Sequence, residues 1–157
     1  MKTREHVLVN ARTMADSETY TKDLPANAKI MELRIRISAT NGATSNTLAK
    51  LNGMVSKIEV VDGSDVLHSL DGKEEQANNF YRHGILPFQQ LNSKAAGVVI
   101  EEFIVSFGRF RGDREYYLDT TKWKNAQLAI THALTISGTA GFATGTGALT
   151  VIAKLIE

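Results

Sequence analysis

The chain has 157 residues, 43% apolar and 22% charged, which fits one folded domain with its own hydrophobic core and excludes a disordered or fibrous class. Its 18 basic residues stand against 17 acidic ones for a net charge of +1, too even a balance to hold nucleic acid or anionic lipid by charge alone. Cysteine is absent, which removes disulfides, thiolate metal ligands and thiol nucleophiles together.

Residues 1–27 are polar overall, with short strand-like runs at Val7–Val9 and Glu18–Thr21, and lack the apolar stretch of a signal peptide. They are expected to form an N-terminal arm that orders on assembly, ahead of a domain at 28–157. From Ile30 to Ile37 the sequence alternates at period two, with Leu33, Ile35 and Ile37 on one face and Glu32, Arg34 and Arg36 on the other. That is the pattern of a half-buried strand. Asn46–Leu51 reads as a weak helical turn. Strand-like runs follow at Val55–Val61 and Asp65–Leu70, joined by Asp62-Gly63, a pair that turns a chain tightly and predicts a hairpin.

Lys73–Arg82 is rich in helix formers, with Asp71 placed as an N-cap and Gly84 as a C-terminal stop, so a short helix is expected between strands. Further strands are expected at Val98–Phe107, Glu115–Leu118, Ala126–Leu134 and Ala148–Ile156, with loops at 90–97 and at the glycine-rich 137–147. Nine strand candidates and one inserted helix predict an all-β sandwich or barrel. No run approaches the roughly 18 apolar residues of a membrane span, so a soluble protein made in a cytoplasm, without direct membrane insertion, is expected.

Chemistry is sparse. His6, His68, His83 and His132 are scattered, with no pair spaced to share a metal. Glu101 and Glu102 are neighbours on a strand and point to opposite faces, which makes them poor partners for hydrolysis. Gly138–Gly147 lacks the Lys-Ser/Thr ending of a phosphate loop and runs into a strand rather than a helix. No Gly-x-Ser-x-Gly elbow is present. No enzyme activity, catalytic residue, metal or cofactor is expected.

One cluster stands out. Between Phe107 and Asp119 fall three arginines, three acids and four aromatics. It reads as a corner loop of internal ion pairs, or as a contact surface, since arginine and tyrosine are enriched at interfaces and arginine forks match carboxylates. Nucleic-acid binding is the weakest reading, because the acids offset the arginines. The contact reading nominates Arg109, Arg111, Asp113, Arg114, Tyr116, Tyr117 and Asp119 as subunit-interface residues.

The order of these pieces resembles the jelly-roll major capsid proteins of tailless icosahedral double-stranded DNA viruses. The matching features are the strand Ile30–Ile37, the pair of strands Lys57–Val61 and Asp65–Leu70 meeting at Asp62-Gly63, and the helix. After it come Phe103–Phe107 ending in Gly108-Arg109, the step Leu118-Asp119-Thr120, and Trp123–Thr131. The resemblance implies an eight-stranded antiparallel jelly-roll sandwich whose barrels stand upright on a shell and associate into capsomers with pseudo-six-fold outlines. It also implies contacts with other copies of the chain and with other capsid proteins, a homo-oligomer located in the virion, and no sequence-specific nucleic acid. Those proteins usually carry two barrels in tandem. Only one fits here, so this is a single-barrel member or one barrel of a tandem pair. The alternative function is a carbohydrate-binding or adhesion β-sandwich module, for which Trp123, the only tryptophan, would be the first residue to test.

Overall fold

The computed structural model describes residues 2–110, 112–113 and 115–157. The strands are β1 (Thr3–Thr13), β2 (Ser17–Asp23), β3 (Lys29–Thr40), β4 (Val55–Asp62), β5 (Asp65–Leu70), β6 (Gln89–Gln90), β7 (Val98–Ser106), β8 (Leu118–Asp119), β9 (Ala126–Ala133) and β10 (Ala148–Ile156). Two α-helices, α1 (Leu51–Met54) and α2 (Gly72–His83), interrupt them.

The strands form two antiparallel sheets. One has the order β1-β10-β3-β7-β6, with β8 on the end of β3, and the other has the order β2-β9-β4-β5. With the two-residue strands β6 and β8 set aside, the chain passes from sheet to sheet at every step except the β4-β5 hairpin, which stays within one sheet, and the eight strands wind as a jelly roll. Leu33, Ile35 and Ile37 of β3 point inward beside Phe103 and Val105 of β7 and Leu149, Val151 and Ala153 of β10. Ile58 and Val60 of β4 with Leu128 and Ile130 of β9 belong to the same buried cluster. Each of these side chains larger than alanine contributes about 1.5–3 kcal/mol on burial.

The hairpin at Asp62-Gly63 forms, with Asp62 paired to Asp65. Helix α2 begins at Asp71, whose carboxylate accepts from Glu74 N at 2.8 Å while the Glu74 carboxylate accepts from Asp71 N at 3.0 Å. It stops at Gly84, which takes the left-handed conformation (φ 73°) that a side chain would resist. The turn expected at Asn46–Leu51 is displaced to α1. The Asn46 side chain accepts from Ala49 N at 2.9 Å, and Lys50 is extended, so the backbone turns before it can wind. Of Glu115–Leu118, only Leu118 pairs in a sheet, since the Glu115 N–H is bound within its own loop.

Within the segment expected to form an arm, β1 and β2 pair with strands of the sandwich. β1 pairs with β10 from Thr3↔Ile156 to Thr13↔Ala148, and β2 pairs with β9 from Ser17↔Ala133 to Asp23↔Gln127. Val9, Met14 and Leu24 join the core. Deleting residues 1–22 should therefore uncover the edges of β9 and β10 and remove two buried side chains, at a cost of about 5 kcal/mol, comparable to the whole stability of a domain. Loss of the near-UV circular dichroism signal and of a cooperative thermal transition is the expected result; a truncated chain that melts like the full one would show that β1 and β2 are dispensable.

Candidate subunit interface

The loop between β7 and β8 is built around Asp113. Gly108 lies so close to it that a Cβ there would sit 2.5 Å from the Asp113 Cβ, so the approach requires glycine. The buried Asp113 carboxylate accepts from Arg109 N at 3.0 Å, Arg109 Nε at 2.9 Å and Glu115 N at 3.0 Å. The hydrogen bond from the Arg109 side chain, with help from the two backbone N–H groups, holds Asp113 well below the usual carboxylate range. Arg109 also pairs with the exposed Glu115. Its guanidinium lies 4.6 Å from the Tyr116 ring centroid and 5.9 Å from that of Phe110.

Of the nominated residues, Asp113 is an internal strut rather than a surface group. Arg109 and Tyr116 are exposed and stacked on one another, and Tyr117 is half-buried with Lys29 Nζ 5.4 Å from its ring centroid. Asp119 stands at the other end of the loop, where β8 pairs with the start of β3. It accepts from Thr121 Oγ1 at 2.6 Å and Thr121 N at 3.1 Å, and these bonds lower its pKa. Arg111 and Arg114 lie outside the described residues.

Helix α2 adjoins this loop, since Arg82 donates to Ser106 O at 3.1 Å and to Gly108 O. Asn79 Nδ2 donates to Ile104 O at 2.8 Å, so side chains of α2 occupy carbonyls that β7 would otherwise leave open at its edge. Beneath the helix lie two buried carboxylates, Glu75 and Glu101. His68 Nε2 stands 2.6 Å from Glu75 Oε2. Glu101 accepts from Gln76 Nε2 at 2.9 Å and Asn52 N at 3.0 Å. Burial pushes its pKa up, and these donors only partly offset the shift. Glu102 points the other way and pairs with Arg36 at 3.0 Å.

No protein-family model and no curated protein matches the chain. Solved structures do. The STIV MCP matches over 100% of this chain and 49% of its own, with a TM-score of 0.68 and 15% identity. PBCV-1 VP54, fitted into a reconstruction of the virophage Sputnik, matches over 98% and 42%, with a TM-score of 0.66 and 10% identity. The major capsid protein P2 from Bacteriophage PM2 matches over 99% and 51%, with a TM-score of 0.59 and 13% identity. The fold is the viral capsid jelly roll. This chain spans about half the length of each of those capsid proteins.

Residues 80–91 of this jelly roll expose large apolar side chains that sequence reasoning did not nominate: Phe80, Tyr81, Ile85, Leu86, Phe88 and Leu91. The signal was in α2, where Ala77, Phe80 and Tyr81 form one stripe and Glu75, Gln76 and Asn79 another. An apolar stripe is ordinarily taken to face inward.

Two substitutions report on the buried carboxylates with opposite pH trends. Asp113 is lowered in the fold, so its stabilisation is present above the ordinary aspartate range and is lost as pH falls through its depressed pKa. Asp113→Asn should lower the melting temperature at pH 7, with the gap closing below about pH 4. Glu101 is raised, so its contribution is present at low pH and is lost as pH rises through its folded pKa. Glu101→Gln should gain on the parent chain as pH rises above the ordinary glutamate range, read from melting curves in matched buffers.

Proposed function

We propose that the chain is a structural, non-enzymatic subunit of a viral shell, its barrel packing beside other copies and other capsid proteins in pseudo-hexameric capsomers. The observation that carries this reading is the match of essentially the whole chain, and not of one motif, to jelly-roll major capsid proteins. The near-zero net charge supports it, because strongly like-charged subunits repel when packed side by side. The buried polar groups support it too, since Glu75, Gln76, Asn79 and Glu101 are bound to one another and to the backbone. The proposed domain is a single jelly roll including β1 and β2, synthesised in a host cytoplasm and resident in the virion.

In this reading the 107–119 loop supplies lateral contacts. Arg109, Tyr116, Tyr117 and Asp119 are its available faces, Arg111 and Arg114 are proposed to add to them, and Asp113 acts through the shape it gives the loop. The carbohydrate-binding alternative gains nothing from Trp123, which packs against the core cluster.

Native mass spectrometry over a concentration series, with negative-stain images at the highest concentration, tests the proposal. Trimers, hexamers or regular sheets are expected, and Tyr116→Ala combined with Arg109→Ala should weaken them about tenfold or more, as interface anchors of these types do. A chain that stays monomeric, alone and with the other structural proteins of its particle, would oppose the shell reading.

A further inference from the structure

Helix α2 is inverted relative to an ordinary amphipathic helix. Its buried positions fall at i, i+3, i+4 and i+7, where Gly72 is followed by the polar side chains of Glu75, Gln76 and Asn79, whereas the apolar Ala77, Phe80 and Tyr81 face outward with Lys73, Glu74 and Arg82. Tyr81 is 85% exposed. The apolar run continues past the helix through Ile85, Leu86, Phe88 and Leu91, where β6 lies along β7.

The exposures of these six side chains range from 48% to 85%. At about 200 Å² for an aromatic side chain and somewhat less for an aliphatic one, they present roughly 600–700 Å² of surface. That is at or above the ~300–600 Å² of the largest apolar patch on an ordinary monomer, and near the ~800 Å² that one partner contributes to a stable interface.

We infer that this ridge, from Phe80 to Leu91, is the docking surface for a second copy of the chain, resting on the shell reading above. Three observations select a like barrel as the occupant. The area matches one side of a standard interface. The structures that cover the whole chain each run to about twice its length, so in them a matched barrel is accompanied by as much protein again. The chain's net charge of +1 sets no repulsion between copies. The contact is made by side chains and not by strand addition, because Phe88 O, β6 and the side chains of α2 already occupy the edge of β7.

The absence of native cysteine makes the test direct. Single-cysteine variants Tyr81→Cys and Leu48→Cys, the latter at an exposed apolar residue outside the ridge, are reacted with a bulky maleimide in the monomer and in the assembled fraction. Modification at position 81 should slow at least tenfold on assembly while position 48 changes little. Tyr81→Glu should weaken self-association at least tenfold in sedimentation velocity with an unchanged melting temperature. If assemblies form but position 81 stays as reactive as position 48, the inference fails and the shell reading stands. If the chain remains monomeric at every concentration, alone and with companion proteins, both fail. Protection at position 81 only when a different structural protein is added would assign the ridge to that protein and overturn the second-copy occupant.

Discussion

Strand β3 answers to three neighbours at once. Along one side it is registered with β10, along the other with β7, and its first residues pair with β8. Because a strand alternates every residue, a slip of one place would carry Arg34 and Arg36 into the core and Ile35 and Ile37 out of it. Burying an unpaired guanidinium costs several kcal/mol, so the register has a single deep minimum. Once it is set, Ile35 fixes Phe103 and Val151 as inward residues, and the outer face is laced by Arg34 with Glu5 and by Arg36 with Glu102.

The same register has an awkward corollary at Glu101. It stands opposite Ile37, on the face that also carries Phe103 and Val105, and must therefore point inward. A carboxyl group there needs donors, and the chain brings two elements to supply them. Gln76 comes from α2, and the Asn52 N–H comes from the first turn of α1, where backbone donors have no partner within the helix. Asn52 Nδ2 then donates to Gln76 Oε1 at 2.7 Å, joining the two helices beneath the sandwich edge.

Much of this was legible in the sequence, for reasons tied to particular residues. The alternation of Ile30–Ile37, the Asp62-Gly63 hairpin and the Asp71/Glu74 capping box are local signals, and local chemistry decides them. β1 and β2 showed only as the short strand-like runs Val7–Val9 and Glu18–Thr21, and their full length and place in the sheets were not legible because they are edge strands. Outside Val9 their side chains are exposed or half-buried, so the apolar alternation that marks a core strand is missing, and their place is set by pairing with β10 and β9, over a hundred residues away. At the candidate interface, composition identified the cluster but could not separate Asp113, a buried strut, from Arg109 and Tyr116, which stay exposed. That difference depends on Gly108 letting the loop close on itself.

The orientation of α2 follows from the demand made by Glu101 and by the edge of β7. Apolar packing alone tolerates some rotation of a helix about its axis, because dispersion is nearly non-directional. Hydrogen bonds do not. Asn79 to Ile104 O, Gln76 to Glu101 and Glu75 to His68 engage three places on the barrel from one face of the helix, and a rotation of even one residue, about 100°, would break all three. With that face committed inward, Ala77, Phe80 and Tyr81 have no choice but to face out. The backbone that presents Phe80 and Tyr81 is thus fixed by polar contacts beneath it, so a partner of the kind proposed would find that part of the ridge already placed, with less backbone freedom left to lose on docking.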